Sequence, residues 1–233
     1  MTAGRPRLRA YLLLARVSNL PTVWTNVLAG TIVSGAAFSG PAFTRIAFAV
    51  SLLYTAGMFL NDAFDRNVDA RFRPDRPLPA GDVTSREAFV GGWALLVAGV
   101  AVLAAQAGAA VVWALLLAGA IVYYDYRHKG DPFGPAVMGI CRGLVYCVAA
   151  ASSGTVTTRV VVAALVLTAY VVALTWVAKR AGQRAGSLIP LLIGGISIVD
   201  AAIIAWCGAP TLAWFALLGF VLTLLLQRVV PGT

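Results

Sequence analysis

Eight apolar runs, each about as long as a bilayer is thick, dominate the chain, at roughly residues 11–35, 42–61, 87–106, 109–126, 133–152, 159–179, 186–206 and 210–227. A membrane-spanning helix takes roughly 20 apolar residues, with about 17–25 tolerated. Inside hydrocarbon every backbone N–H and C=O has to be bonded within the protein, which leaves helices and closed barrels. Barrel strands are about half as long and alternate in hydropathy, whereas these runs are uniformly apolar. The sequence therefore predicts an all-α integral membrane protein, a multi-helix bundle with about eight transmembrane helices, forming one domain over residues 1–233.

Charge falls between the runs in a regular way. One alternate set of connections holds Arg5, Arg7, Arg9, Arg16, Arg66, Arg71, Arg73, Arg76, Arg86, Arg127, Lys129, Lys179, Arg180, Arg184 and Arg228, which is 15 of the 18 basic residues. The other side has only Arg45 and Arg159, and Arg142 falls within a run. By the positive-inside rule, the N-terminus and the charged loops are expected in the cytoplasm, in a bacterial-type plasma membrane. The formal charge of +9 then faces anionic lipid headgroups, and no nucleic-acid partner is implied. The apolar run after "MTAGRPRLRA" continues past signal-peptide length, so no cleaved leader is expected. Cys141, Cys147 and Cys207 lack metal-ligand spacing and read as buried packing residues.

Acid is scarce in this chain and concentrated in one place. Of nine acidic residues, Asp62, Asp65, Asp69, Asp75 and Asp82 lie in or next to "FLNDAFDRNVDARFRPDRPLPAG", residues 59–81. At about 100° per residue, Asn61, Asp62, Asp65 and Asp69 fall near 0°, 100°, 40° and 80° on a continuing helix, all on one face. Like charges on adjacent turns repel, so something cationic belongs there. Oxygen-only ligands suit Mg²⁺, which holds substrate phosphates with one or two carboxylates and several waters. Arg73 and Arg76 then offer forked donors matched to phosphate oxygens. An arginine–carboxylate salt-bridge loop without metal is the other reading that spacing alone allows.

The form N-D-x-x-D-x-x-x-D in "NDAFDRNVD", followed by "RPDRPLPAG", resembles the first aspartate-rich motif of the UbiA superfamily of intramembrane prenyltransferases. "ARVSNLPTVWTNVLAG" resembles the family's first helix, and "YYDYRHKGDPFGPAVMGICRGL" its fourth-to-fifth loop. The "MGICRGL" portion is most like the EboC-like subgroup. The resemblance implies a bundle of nine helices around a central cavity open to the cytoplasmic side, one helix more than the runs counted here. It implies transfer of an isoprenoid from a prenyl diphosphate to an aromatic or other lipophilic acceptor, with Mg²⁺ as cofactor. Carried over by position, Asn61, Asp62 and Asp65 are the metal ligands, with Asp62 and Asp69 otherwise supporting them or pairing with arginine, and Asp65, Asp69 and Lys129 are the catalytic residues. Diphosphate falls to Arg73, Arg76, Lys129, Tyr124 and Arg142. The acceptor pocket is placed at Arg16 and Asn19, with Trp24 either joining it from beside Asn26 on the first helix or anchoring at the membrane interface.

The family's second aspartate-rich motif has no counterpart. Residues 174–186 read "LTWVAKRAGQRAG", with no carboxylate and with Gln183 as the one uncharged oxygen ligand of comparable reach. One metal aided by Lys179, Arg180 or Arg184, a carboxylate from Asp125 or Asp131, or binding without turnover are the alternatives this leaves. A non-catalytic prenyl-lipid binder or transport accessory, or a terpene cyclase, would use the same fold. Arg142 is expected to face the cavity or to pair with a carboxylate, because a charge inside a span costs about 2.5–3.5 kcal/mol on insertion scales. Asp200 is expected to be a buried, protonated or hydrogen-bonded carboxylate, and His128 a solvated loop residue.

Overall fold

The computed structural model describes residues 5–105, 108–127, 133–181 and 188–232. The chain runs through α1 (Arg7–Leu14), a 3₁₀ turn (Val17–Asn19), α2 (Leu20–Val33), α3 (Gly40–Phe72), α4 (Ser85–Ala104) and α5 (Ala109–Arg127). It continues with α6 (Gly134–Ser153), α7 (Thr158–Ala181), α8 (Leu188–Trp206) and α9 (Pro210–Gln227). No strand occurs among the described residues. Among the described residues seven helices, α3 to α9, are long and apolar enough to cross a membrane.

The first apolar run is not one helix. Its Pro21 has no N–H to give and would clash with a carbonyl four residues back, so it is tolerated only in a helix's first turn. The structure places Pro21 in the first turn of α2. Between α1 and α2 the backbone turns at Arg16, whose φ of 45° and ψ of 49° are left-handed, a conformation that costs a residue with a Cβ about 1–3 kcal/mol. The 14 residues of α2 rise only about 21 Å, so α1, the turn and α2 act together as one interrupted unit.

α2 lies in the middle of the bundle, packed on α3, α6, α8 and α9. It buries eleven of its residues, among them the polar Thr22, Thr25, Asn26 and Thr31. Close backbone approach makes this possible. A Cβ on Gly30 would sit 2.8 Å from Cα and O of Tyr146 on α6, and one on Gly99 of α4 would sit 2.8 Å from Leu53 Cγ on α3. Without a hydrophobic drive between helices in lipid, such small-residue contacts supply the packing. Outward faces carry exposed apolar side chains such as Leu165, Val97 and Leu218. α4 starts with a reciprocal cap, Glu87 N–H donating to Thr84 Oγ1 and Thr84 N–H to Glu87 Oε2. Cys147 is buried as expected, but Cys207 is exposed, because it follows the C-terminal end of α8, where the bundle's packing stops.

Gly30→Val should force α2 away from α6 and lower stability by about 1–3 kcal/mol, the range for overpacking. Gly119→Ala, whose Cβ would meet nothing within 4 Å, should leave the thermal midpoint of the detergent-solubilised protein unchanged.

Candidate functional site

The helix anticipated through the acidic stretch is real: α3 runs unbroken to Phe72 and buries Asn61, Asp62, Asp65 and Asp69 together. Val68 and Phe72 supply the apolar part of their surroundings, and charged partners reach them from other segments. Arg16 donates from Nη2 to Asp62 Oδ1 at 2.8 Å. Arg76 Nη1 reaches the same Oδ1 at 3.3 Å and Asp69 Oδ2 at 2.8 Å. The turn "RPLPAG" brings Arg76 back to α3, with Ala80 N–H bonded to the Arg76 carbonyl and Gly81 N–H to that of Leu78. Asp62, expected as a metal ligand, is therefore committed to two guanidinium groups. Its neighbours Asn61, Asp65 and Asp69 line an outer chamber of about 510 Å³ that Asp62 does not reach.

Facing the acidic wall of that chamber are Arg73, Arg76 and, from the end of α7, Lys179. Arg73 and Lys179 make no ion pair among the described residues. Partial burial, and then the adjacent Arg76 charge, pull the Arg73 guanidinium below the ordinary arginine value. The last turn of α7 carries Lys179 and Arg180 and no carboxylate. Arg180 stacks on the Trp176 ring at 3.4 Å. Lys129, His128, Asp131, Gln183 and Arg184 lie outside the described residues.

Arg16, Arg73, Arg76 and Tyr124 also line a second, inner cavity of about 320 Å³. Its walls are aliphatic, including Leu53, Val145, Val171, Leu174 and Ile196, with Tyr54, Asn19, Asp125 and Arg142 as polar exceptions. Asp125 Oδ1 accepts from Asn61 Nδ2 at 3.4 Å, while its buried Oδ2 has no hydrogen-bond partner among the described residues. Asn19, expected in an acceptor pocket, lines this cavity and donates from Nδ2 to Tyr54 OH at 3.2 Å and to the Gly232 carbonyl at 3.0 Å. Trp24, expected beside it, is absent from the wall. Its indole N–H donates to Ser51 Oγ at 3.0 Å and the ring is 39% exposed on the outside of the bundle. Two residues before Asn26, it falls on the opposite side of α2. Arg142, expected at the diphosphate, lines only the inner cavity.

Asp200 was expected to be buried and bonded, and it is fully enclosed. Tyr146 OH and Thr25 Oγ1 each donate to it at 2.5 Å, and Asn26 Nδ2 donates to both its oxygens, at 3.0 and 2.8 Å. Arg142 Nη1 donates to Asn26 Oδ1 at 2.9 Å, so the arginine meets the carboxylate through an amide and not directly. This cluster escapes sequence reading as a unit. Its only signal is isolated polar residues in three otherwise apolar runs.

Do the residues fit a cation? No group of three or more carboxylate, histidine or cysteine side chains converges as a complete cage among the described residues. Mg²⁺ does not require one, since it keeps waters and takes substrate phosphates alongside one or two carboxylates. The outer chamber supplies Asp65, Asp69 and Asn61 as oxygen donors, and Asp125 Oδ2 is a buried oxygen still lacking a donor. The donor chemistry fits Mg²⁺ held jointly with a diphosphate.

The chain belongs to the UbiA prenyltransferase family, whose profile matches residues 20–229. It resembles curated relatives named digeranylgeranylglyceryl phosphate synthase. The Haloquadratum walsbyi protein is 31% identical over 201 residues, covering 83% of this chain and 70% of the relative. The Halobacterium salinarum protein is 34% identical over 193 residues, covering 78% and 68%. With the Methanothrix thermoacetophila relative the identity is 35% over 118 residues, 50% of this chain and 44% of that one. Among solved structures, a UbiA homolog from Archaeoglobus fulgidus bound to DMAPP and Mg²⁺ superposes with a TM-score of 0.64 at 15% identity, over 94% of this chain and 87% of that one. A UbiA homolog from Aeropyrum pernix superposes with a TM-score of 0.59 at 17% identity, over 94% and 99%. These structures share the fold.

Arg76→Ala should strand the buried Asp69 carboxylate and destabilise the protein by about 3–5 kcal/mol, as breaking a buried pair does. Adding Asp69→Asn should recover part of that loss in the same denaturation measurement. Equal stability of the single and double variants would remove the ion pair from any structural role.

Proposed function

We propose that this protein is an intramembrane, Mg²⁺-dependent prenyltransferase that moves an isoprenoid from a prenyl diphosphate to a lipophilic or aromatic acceptor. One observation carries the reading. Carboxylate and amide oxygens of Asp65, Asp69 and Asn61 line one chamber with Arg73 and Lys179, cations that make no ion pair among the described residues, and that chamber adjoins an aliphatic cavity through shared walls. A molecule with a diphosphate at one end and a hydrocarbon chain at the other matches both.

Asp65, Asp69 and Asn61 would hold Mg²⁺, which supplies positive charge to the diphosphate oxygens when bound. Arg73 and Lys179 stabilise the negative charge that grows on the diphosphate as its bond to the first isoprenoid carbon breaks. Lys129, by its position in the sequence, joins them. The electron pair of that bond leaves with the diphosphate. The acceptor's nucleophilic atom bonds to the same carbon and gives up a proton, for which the unpartnered Asp125 Oδ2 is the nearby buried base. The aliphatic wall keeps water from the electron-deficient allylic carbon. Asp62 and Arg16 act behind this front, holding Arg76 and the α3 face in place. We place the motif end in the cytoplasm, in keeping with the basic bias of its loops.

A second reading, binding of a prenyl lipid without turnover, draws on the absence of any carboxylate from residues 174–186, where the resemblance to the family implies a second acidic motif. One experiment separates the two. The purified protein in nanodiscs is incubated with radiolabelled prenyl diphosphates of several chain lengths and a lipid-extract acceptor pool, with and without Mg²⁺. Diphosphate release that requires Mg²⁺, falls about 10²-fold or more in Arg73→Ala and vanishes in Asp65→Ala is the expected result. Tight binding with no release under any condition would establish the second reading.

A further inference from the structure

We propose that Arg142 forms an oxygen-binding subsite at the inner end of the aliphatic cavity, and that it takes a neutral hydrogen-bond-accepting oxygen, such as a ketone, quinone or phenol oxygen. Naming the owner of that oxygen as the acceptor substrate rests on the prenyl-transfer reading; the chemistry of the subsite does not.

Arg142 sits on α6 inside an apolar span, yet it is not spent on internal bonding. Its Nη1 donates to Asn26 Oδ1 at 2.9 Å and its guanidinium lies 5.5 Å from the centre of the Tyr54 ring. A guanidinium has five N–H donors and no acceptor. Arg142 has no other hydrogen bond or ion pair among the described residues, and it lines the cavity. An arginine kept only to tie α6 to α2 would have its remaining donors satisfied by protein, because unmet donors in an apolar cavity are costly. These face the space a ligand would fill.

The cluster behind it decides what kind of oxygen fits. Arg142 can only donate, so Asn26 must turn Oδ1 to it and Nδ2 to Asp200. That amide donates to both Asp200 oxygens, and Thr25 and Tyr146 add a donor each. Donors converging on both oxygens are the surroundings of a carboxylate. The half-buried arginine is therefore already balanced by one buried negative charge, relayed through one amide. Adding an anion would leave a net negative charge deep in the bundle, whereas a neutral oxygen gains a charge-assisted hydrogen bond at no such cost. The subsite is also separate from the diphosphate end. Tyr54 precedes Asp62 by eight residues on α3, roughly 12 Å of helix rise.

Three molecules of matched shape test this without magnesium, diphosphate or turnover: 2-acetonaphthone, 2-naphthoate and 2-ethylnaphthalene. Their binding to the full chain in detergent is measured by equilibrium dialysis against protein-free micelles. The ketone should bind about tenfold more tightly than the hydrocarbon, as one charge-assisted hydrogen bond predicts, and more tightly than the carboxylate. Arg142→Met should erase the ketone's advantage and leave 2-ethylnaphthalene binding unchanged, which also reports an intact cavity. Asp200→Asn, by removing the balancing charge, should move the preference towards 2-naphthoate. Equal binding of ketone and hydrocarbon by the unmodified protein, or tightest binding of 2-naphthoate, overturns the proposal. Both outcomes are read on the unmodified chain, so a variant that fails to fold does not rescue it. Ketone preference in a protein with no prenyl transfer would refute the proposed function and leave the subsite standing.

Discussion

Two arginines from distant parts of the chain hold the acidic face of α3 in place, and most of the site depends on that arrangement. Four polar groups on about two turns of one buried face would repel one another and lose hydration without it. Arg16 reaches in from the break in the first helix and Arg76 folds back from the loop after α3, and Asp62 Oδ1 receives both. The left-handed backbone at Arg16 is strained on its own account. Its guanidinium gains a carboxylate at 2.8 Å that a regular helix would direct elsewhere. Break, turn and ion pair are therefore one feature, and the interrupted helix contributes to the site as directly as the aspartates do.

The same logic explains why two polar clusters coexist in so apolar a protein. Burying a charge is tolerable only when it is paired and its lone pairs or protons are met. Among the described residues the pairing is incomplete: Arg73 and Lys179 at the outer chamber lack ion-pair partners, and Asp125 Oδ2 at the inner cavity lacks a donor. Around Asp200 the carboxylate is fully met, and incompleteness is passed outward to Arg142. Unmet polar capacity in both places faces a cavity and not packed side chains. In a protein that buries polar groups so sparingly, that coincidence points to ligands.

Much of this was legible in the sequence because helix periodicity and bilayer thickness are strong constraints. The wheel at residues 61, 62, 65 and 69 correctly put four polar groups on one face, and uniform apolar runs marked the spans. A wheel gives angle but not neighbours. It could not say that Asp62 is consumed by Arg16 and Arg76 while Asp69, on the same face, borders the chamber. Trp24 shows a related limit. Its closeness in sequence to Asn26 suggested a shared pocket, yet a two-residue step on a helix turns the side chain about 200°, onto the outer surface. The Asn26–Asp200–Tyr146 cluster joins residues more than fifty positions apart in three runs, and nothing local announces such a contact.

The length of α3 sets where reactants meet. Its 33 residues rise about 50 Å, well beyond the roughly 30 Å of a bilayer's hydrocarbon. Asp62 comes more than 30 Å of rise after its start, so the helix is long enough to cross that hydrocarbon before the motif begins. For the proposed reaction, a charged phosphate ester would then dock at the end of the bundle while still hydrated, and only its chain would have to leave water for the aliphatic cavity. A transferase built this way would be spared from dragging a polyanion into oil.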